Sequence, residues 1–448
     1  MKKKIYAQAP AAAYNASTYY RIVLPLHSMA KLDLPFEIHL DPCGNNILEQ
    51  DRWNSMMDSD IMMLYQSVSP GFLRLIDDLK KLPYQYHNGV KLAPPSFWMD
   101  TDDDLFNVHP LNPAFKNLGW KDHNGNVLED GARVWIRNPV TQDPELMWSD
   151  IANEEKGIPK NIDLAANRQC LDTWRGMLQR GELITVSTPY TKEYVLREIG
   201  QEHENKILIS PNCINFVEFP KIELAEHPDE VRILWQGSKT HWEDLWALRE
   251  PLIRVMEKYP HAKLIIWGVD YAWLTKGIKP EQVEFLGWMD YRAYKLYLST
   301  LGHDINLAPL KNTVFAKSRS AIKFYESAAL WKPVPTLAQN FGAYGDEIID
   351  GETGLLFDTP EEFETKLSGL IEDAMLRKRL AANAKDWVRT NRDPIVHAMT
   401  LAERLEQVRR ERLDWPEYVE EKKDVPKTKR SNTRRGGNYR RGKRGNRN

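Results

Sequence analysis

Residues 315–326 read Phe-Ala-Lys-Ser-Arg-Ser-Ala-Ile-Lys-Phe-Tyr-Glu, and their pattern predicts the start of a helix. The Lys-Ser-Arg-Ser cluster at 317–320 lies at that start, where the helix dipole favours anions. Lys323 and Glu326 are three positions apart and share a face one turn further on. A carboxylate there can accept two hydrogen bonds from the cis-diol of a ribose, while the cluster meets a diphosphate. The alternative is a solvated Lys–Glu pair on a surface helix.

Apolar runs on either side of this helix predict an α/β domain. Helices are predicted from about 243 to 258 and from about 320 to 331, and helical sequence continues from 360 to about 412. Strands alternate with these helices, and such alternation is typical of a parallel sheet. The predicted strands are Val231–Trp235, Ala262–Trp267, Val283–Leu286, Ile305–Ala308 and Val334–Leu337.

The first half of the chain alternates in the same way, with one long irregular segment. Residues 83–159 are rich in Pro, Asn, Asp and Trp, which predicts long loops or an insertion. A polar, Pro-containing connection at 216–229 predicts a hinge between two α/β domains. Two such domains form a cleft at the carboxyl ends of their strands, where open α/β folds bind ligands. The predicted strands are Ile5–Ala9, Phe36–Leu40, Ile61–Tyr65, Leu183–Ser187 and Lys206–Ser210.

A glycine-containing loop follows the first strand of the second domain. Residues 235–242 read Trp-Gln-Gly-Ser-Lys-Thr-His-Trp and lie between a predicted strand and a predicted helix. Gly237 lets the backbone approach a phosphate, the N–H groups at the helix start can point at it, and Lys239 adds a positive charge. The alternative is an ordinary strand-to-helix turn with a Ser/Thr cap.

The order of these motifs resembles a known family. Residues 305–357 are similar to the donor-binding region of the family-4 (group 1) retaining glycosyltransferases of the GT-B fold. The shared order is a strand, a Lys-Ser-x-x-Lys-x-x-Glu helix, a Pro-Val-Pro strand and the stretch Asp-Gly-Glu-Thr-Gly-Leu-Leu-Phe at 350–357. Residues 237–244 resemble the Gly-(Ser/Thr)-x-Thr-His loop of one branch, and 283–289 the strand and turn that hold the base. Looser similarity covers 19–25, 187–190 and 211–215.

This resemblance implies an α/β GT-B fold, in which two Rossmann-like domains face a cleft. It implies an acceptor-side domain over 1–215 with a long loop insertion, and a nucleotide-sugar-binding domain over 228–385. Closing helices are predicted over 386–415. Residues 416–448 are charged and then Arg/Gly/Asn-rich, a composition that cannot bury a core, so this basic tail is predicted to be disordered.

The resemblance also implies a set of donor-site residues. Glu326 matches the second glutamate of the family's Glu-x7-Glu motif, which is implied to bind ribose, whereas Ser318 occupies the position of the first. Ser238 and Glu243 replace the common Arg and Lys of the first loop, so other lysines are expected to neutralise the diphosphate. The predicted donor-binding residues are Gly237, Ser238, Lys239, Thr240, Met289, Lys317, Ser318, Lys323 and Glu326.

Two further features concern catalysis and metal binding. His109 lies in a Pro-rich loop on the acceptor side and is predicted, with Lys323, to be catalytic; the alternative for His109 is a surface position. Residues 99–104 read Met-Asp-Thr-Asp-Asp-Asp, and an Asp-x-Asp pair can coordinate a divalent ion on a sugar diphosphate. GT-B members generally use helix dipoles and basic side chains instead. The resemblance therefore implies neither a metal nor any cofactor beyond the nucleotide-sugar substrate.

Composition limits the class of protein. The three cysteines are widely spaced, which excludes a disulfide framework and a Cys-rich zinc site and fits a reducing, cytoplasmic compartment. No apolar run approaches the ~20 residues of a membrane-spanning helix. Residues 427–448 hold ten of the 61 Lys and Arg residues and none of the 63 Asp and Glu residues. The rest of the chain therefore carries a net charge of −12.

The tail, from Lys427 to Arg447, resembles Arg/Gly-rich nucleic-acid-binding segments, in which arginine binds phosphate and glycine keeps the chain flexible. A solubilising tail or a contact with acidic lipid is the alternative. These observations predict a retaining transferase that uses a nucleotide-diphosphate sugar, with a hydroxylated base in DNA as one acceptor, as in bacteriophage genome modification. A glycan, lipid or protein acceptor remains open. So do a sugar-nucleotide epimerase and a non-catalytic nucleic-acid-binding protein on a transferase body.

Overall fold

The structure is a computed structural model, and it describes residues 2–9, 16–41, 50–81, 85–87, 90–92, 95–137, 143–151, 162–224, 227–238, 241–269 and 272–413. The predicted tail at 416–448 lies outside the described residues, and so do Lys239 and Thr240 of the glycine loop. Among the described residues, no helix combines the length and apolar character that crossing a membrane requires.

Six parallel strands form the N-terminal sheet. In spatial order they are Ile207–Ile209, Leu183–Val186, Ser96–Thr101, Ile61–Tyr65, Lys3–Gln8 and Phe36–Asp41. Two antiparallel pairs lie outside this sheet, Gln85–His87 with Val90–Leu92 and Arg133–Arg137 with Pro144–Ser149. The α-helices of this half are Ala16–Thr18, Leu24–Ala30, Gln50–Met57, Pro70–Lys81, Phe115–Leu118, Leu164–Arg180 and Pro189–Ile199. The π-helical turn Tyr19–Val23 lies between the first two helices, and the 3-10 turns are Leu105–Asn107, Gln201–Lys206 and Phe216–Glu218.

The prediction of loops over 83–159 is wrong for residues 96–101, because they form the strand Ser96–Thr101 in the middle of the N-terminal sheet. All six of its residues are buried, because neighbouring strands flank it and helices cover both faces of the sheet. It therefore lacks the polar–apolar alternation by which a half-exposed strand is predicted. Its acidic residue, Asp100, is neutralised by Arg21, which lies 79 residues away in the chain.

The C-terminal sheet also has six parallel strands. In spatial order they are Val283–Leu286, Ala262–Trp267, Val231–Gln236, Ile305–Ala308, Thr336–Gln339 and Leu355–Phe357. Its α-helices are Trp242–Trp246, Arg249–Lys258, Ala272–Thr275, Tyr291–Thr300, Val314–Lys317, Ile322–Ala329, Gly342–Glu347, Pro360–Glu372 and Ala374–Asn391, with a 3-10 turn at Pro280–Gln282. The predicted strands at 262–267, 283–286 and 305–308 are confirmed to the residue.

The helix predicted over 243–258 is two helices, Trp242–Trp246 and Arg249–Lys258. The break has a local cause at Pro251, in the first turn of the second helix. Proline has no N–H for a helical hydrogen bond, and inside a helix its ring would collide with the carbonyl four residues earlier, at Ala247, where the first helix has ended. A continuous helix through this position is therefore excluded.

The last described helix, Pro394–Leu413, returns from the C-terminal half to the N-terminal sheet. Its buried residues recur at helical spacing and pack with Ile22, Leu26 and Met29. Those buried residues are Ala398, Leu401, Ala402, Leu405 and Val408. An ion pair between Lys3 and Glu406 lies beside this contact. The chain therefore crosses between the two halves twice.

Candidate active site

A cavity of about 500 Å³ lies between the N-terminal and C-terminal halves and is lined by residues from both. The strands of the C-terminal sheet present their carboxyl ends to it, as expected for a ligand site in a parallel α/β fold. Five of the predicted donor-site residues line it: Gly237, Ser238, Met289, Lys323 and Glu326.

The glycine turn at 237 brings two backbone segments together. The Gly237 N–H donates to the Trp267 carbonyl at 3.0 Å, so it is already used within the protein. A Cβ at Gly237 would lie 2.9 Å from the Trp235 ring. A Cβ at Gly268, whose φ is +108°, would lie 2.5 Å from the Gly237 carbonyl oxygen. Gly237 is therefore required by the close packing of Trp235 and Gly268 against it, and its N–H is not free to bind a phosphate.

Arg319 supplies a cation at this wall that the sequence-based site lacked. Its Nη1 lies 2.7 Å from Nε2 of His241, and Nδ1 of His241 lies 2.7 Å from the Asp244 carboxylate. Burial, followed by the positive charges of Arg319 and Lys323, lowers the pKa of His241 to about 3. A neutral imidazole then donates from Nδ1 to Asp244 and accepts at Nε2 from Arg319. His241 thus orients Arg319 without adding charge.

Lys323 lines the same wall as Arg319. Burial lowers the pKa of Lys323 to about 8, so its ammonium group is still mostly charged at neutral pH. Its Nζ lies 5.4 Å from the centre of the Trp235 ring. Lys317, in contrast, does not line the cavity: it is exposed, and its Nζ lies 4.5 Å from the centre of the Tyr190 ring. The sequence did indicate a role for Arg319, because it lies in the Lys-Ser-Arg-Ser cluster at 317–320.

Glu326 is buried, and three tyrosine hydroxyls donate to its carboxylate. Tyr20 and Tyr291 donate to Oε1 at 2.8 and 3.3 Å, and Tyr294 donates to Oε2 at 2.7 Å. Burial raises the pKa of Glu326, and the hydrogen bonds from the tyrosines oppose that rise. Because a carboxylate has about four acceptor positions, one position remains for a ligand hydroxyl.

The three tyrosines come from two local structures. Asp290 caps the helix Tyr291–Thr300 by accepting from the N–H groups of Arg292 and Ala293, and this start places Tyr291 and Tyr294 one turn apart. Tyr20 lies in the π-helical turn of the N-terminal half, and such turns are frequent at functional sites. In the sequence, the only indication of these tyrosines was the resemblance of Tyr19-Tyr20-Arg21 to the glycosyltransferase family.

Ser318 and His109 lie outside this cavity's lining. Ser318 is 2% exposed; its hydroxyl donates to the Phe315 carbonyl at 2.8 Å and accepts from the Asp104 N–H at 3.1 Å. The position of the family's first glutamate therefore serves here as a contact between the two halves. Nδ1 of His109 accepts a hydrogen bond from the Leu111 N–H at 3.3 Å. His109 follows Val108, which does line the cavity.

Three of the four aspartates at 100–104 divide into two roles. Asp100 binds Arg21 through two hydrogen bonds of 3.0 and 2.7 Å. Asp102 and Asp103 line the cavity, and burial raises the pKa of both. Tyr65 and the amide of Gln66 donate to Asp102 at 2.7 and 3.0 Å. Among the described residues, no group of three or more His, Cys, Asp or Glu side chains could hold a metal ion.

Solved structures identify the architecture. The chain superposes with a TM-score of 0.54 on sucrose-phosphate synthase from Thermosynechococcus elongatus, at 11% identity over 91% of this chain and 99% of that one. A glycosyltransferase from Rickettsia africae gives a TM-score of 0.54 at 12% identity, over 92% and 99%. Anabaena HepE in complex with UDP-glucose gives 0.53 at 12% identity, over 90% and 99%. The chain has the GT-B fold. The predicted fold class, two Rossmann-like α/β domains facing a cleft, is thereby confirmed.

At the sequence level, no protein-family model matches this GT-B chain. A trehalose synthase from Pyrococcus horikoshii is 24% identical in an alignment 262 residues long, which covers 52% of this chain and 59% of that protein. The match thus spans less than two thirds of that relative's length. At these identities the likeness establishes the fold, and the chemistry has to be inferred from the side chains in the cleft.

Proposed function

We propose that this protein is a glycosyltransferase that transfers a hexosyl or pentosyl group from a nucleotide-diphosphate sugar, with UDP-sugar as the favoured donor. One observation carries the proposal: a single cavity between the two domains holds two cations, Arg319 and Lys323, and a buried carboxylate, Glu326. A nucleotide diphosphate has the negative charge that the cations require and the ribose diol that a carboxylate binds. The similarity to sucrose-phosphate synthase, trehalose synthase and a UDP-glucose-binding structure supports the same class.

The proposed orientation of the donor follows from the residues that line the cavity. The diphosphate lies at the wall formed by Gly237, Arg319 and Lys323, beside the two positive charges. One ribose hydroxyl reaches Glu326 at the position left open on Oε2, and the second binds Oε1 in place of the Tyr20 hydroxyl. The base lies toward Met289, at the end of the strand Val283–Leu286.

The chemistry follows from charge placement. The bond between the anomeric carbon and the diphosphate oxygen breaks, and the acceptor oxygen bonds to the same face of that carbon, so configuration is retained. The proton of the acceptor hydroxyl leaves with the diphosphate oxygen. Arg319 and Lys323 stabilise the negative charge on the departing diphosphate, and this type of preorganised stabilisation is a large term in group transfer. We propose that these side chains do so without a metal ion, and that Ser318 leaves the donor sugar with a different set of contacts from those of the family-4 motif.

The proposal for the acceptor rests on the charge of the C-terminal tail and not on the residues of the cleft. The cationic tail from Lys427 to Arg447 on a body of net charge −12 supports nucleic acid as a partner, with a hydroxylated base in DNA as the acceptor. A sugar-nucleotide epimerase is the second candidate, because Asp102 and Asp103 place carboxyl groups in the donor cavity, where proton transfer would be needed. Analysis of the sugar product separates the two activities.

The test is a donor screen on the full chain. UDP-, GDP-, ADP- and dTDP-sugars are each incubated with the protein, with and without hydroxymethylated DNA, in excess chelator, and free nucleotide is measured. We expect release from one donor class, stimulated by the DNA and unaffected by the chelator. Release from no donor would contradict the transferase proposal. Activity that disappears in chelator and returns with manganese would favour the metal alternative at Asp102–Asp104.

A further inference from the structure

A second cavity, of about 490 Å³, lies at the opposite edge of the C-terminal sheet. Its lining includes Val231, Asp304 and Pro335, which stand at or just before the amino ends of three strands. The donor cavity lies at the carboxyl ends of the same strands, so a six-residue strand such as Val231–Gln236 separates the two by about 20 Å. Both cavities fall within the size range of small-molecule sites.

His303 lines this second cavity and is 5% exposed. Neither of its ring nitrogens has a hydrogen-bond partner in the described part of the chain. Burial, followed by the charge of Arg232, lowers the pKa of His303 to about 3, so the ring is neutral and offers one donor and one acceptor. A buried polar group without a partner is costly, and each such group calls for an explanation. A hydroxyl group, which both donates and accepts, complements either nitrogen.

The mouth of this cavity is basic. Lys332 and Lys378 line it, are exposed, and make no ion pair with any residue that the structure describes. Arg377 lines it as well, while its Nη1 donates to two helix-end carbonyls. Of the two acids in the lining, Asp304 accepts from the Arg232 N–H at 2.8 Å, and Glu230 is exposed. In a body of net charge −12, three cations around one cavity favour an anionic ligand.

Trp331 adds an apolar surface at the same mouth. Its side chain lines the cavity and is 50% exposed. Lys221 extends the basic surface, because its Nζ lies 5.1 Å from the centre of the Trp331 ring. Half-exposed aromatic rings next to cations suit a ligand that has both an apolar face and a negative charge.

We propose that this cavity is a second ligand site, which binds a small hydroxylated anion of the sugar-phosphate class. A ligand hydroxyl bonds to His303, the phosphate lies between Lys332 and Lys378, and the carbon face of the ligand packs on Trp331. The site is separate from the donor cavity, and variants of its own residues His303, Lys332 and Lys378 test it whether or not UDP occupies that cavity.

The experiment measures binding to the full chain by calorimetry, with saturating UDP present to occupy the donor cavity. The probes are glucose 6-phosphate, ribose 5-phosphate, glucose and inorganic phosphate. The variants are His303→Leu and the double variant Lys332→Glu/Lys378→Glu. The matched control is Lys279→Glu, an exposed lysine of the same domain outside this cavity.

We expect at least one sugar phosphate to bind the wild-type protein and the control equally, and to lose tenfold or more in affinity in both test variants. His303→Leu should at the same time raise Tm, because it removes a buried polar group that has no partner. A structural histidine would instead lower Tm when replaced. Absence of binding by both sugar phosphates would overturn the proposal, and so would binding that both test variants leave unchanged. Binding of inorganic phosphate alone, unaffected by His303→Leu, would mean an adventitious ion only and would also overturn it.

Discussion

The hydroxyl of Tyr20 donates a 2.8 Å hydrogen bond to Oε1 of Glu326, and thereby joins residues 306 positions apart in the chain. Tyr20 belongs to the N-terminal half, whereas Glu326 is the carboxylate proposed to bind the donor ribose. The bond therefore places a side chain of one domain at the ligand position of the other. In the proposed donor complex, the second ribose hydroxyl and Tyr20 therefore compete for Oε1.

The first prediction concerns this competition. Tyr20→Phe should destabilise the protein by about 1.5–3 kcal/mol, because it removes a hydrogen bond to a charged group. It should also strengthen UDP binding, because Oε1 of Glu326 becomes available to the ribose. Thermal unfolding and calorimetry measure the two effects. The control is Tyr259→Phe, which removes a hydroxyl bound to the exposed Glu372. Lower stability with unchanged UDP affinity would mean that Tyr20 does not compete with the donor.

Replacing Glu326 tests the ribose assignment directly. Glu326→Gln keeps the shape of the side chain but removes the charge, and the loss of a charge-assisted contact costs about 1.5–3 kcal/mol of binding free energy. We expect UDP affinity to fall by one to two orders of magnitude, while ligands that lack ribose, such as pyrophosphate, bind as before. Calorimetry on the folded variant measures both. Equal losses for UDP and pyrophosphate would assign Glu326 to the diphosphate or to the fold.

Arg319 and Lys317 form a matched pair for the diphosphate contact. Arg319→Ala should reduce kcat by about 10²- to 10³-fold, the effect of losing one preorganised donor at a developing negative charge. Lys317→Ala should change kcat little, because Lys317 is exposed and lies over Tyr190 outside the cavity. Nucleotide release from the preferred donor is the measurement. A larger loss of kcat in Lys317→Ala than in Arg319→Ala would instead assign the diphosphate contact to Lys317, outside this cavity.

A pH dependence follows from Lys323. Its pKa is lowered to about 8 by burial, so the folded protein loses this charge as pH rises through about 8, well below the ordinary lysine value of 10.5. Since the diphosphate binds the charged form, UDP affinity should be constant below about pH 7.5 and should fall as pH rises above 8. Lys323→Met should bind UDP weakly and show no such fall. Affinities measured from pH 6.5 to 9.5 give the test, and a wild-type profile flat to pH 9.5 would exclude Lys323 from the diphosphate site.

The tail prediction links charge to the acceptor. Removing residues 427–448 should leave nucleotide release without acceptor intact and raise the apparent acceptor constant for hydroxymethylated DNA. The loss should shrink as salt rises, because counterion release drives the contact. Sugar incorporation by full-length and truncated protein at two salt concentrations measures it. Equal incorporation at low salt would remove the main support for a nucleic-acid acceptor.

The sequence by itself determined five of the six strands of the C-terminal sheet, three of them to the residue, and the GT-B class. Strands such as Ala262–Trp267 and Ile305–Ala308 are apolar runs bounded by polar residues, and their limits depend on local pattern alone. Gly237, Lys323 and Glu326 were predictable as neighbours because each follows a parallel strand, and the carboxyl ends of parallel strands meet at one edge of a sheet.

Only the tertiary structure decided the partners of these side chains. The tyrosines on Glu326, the pairing of Arg319 with His241 and the crossing of the helix Pro394–Leu413 all join residues distant in the chain. The strand Ser96–Thr101 was missed for the same reason: its polar residue Asp100 is acceptable in a buried strand only because Arg21 neutralises it. Local sequence sets the propensity of each segment, but burial and charge pairing depend on what folds against it, and no local pattern records that.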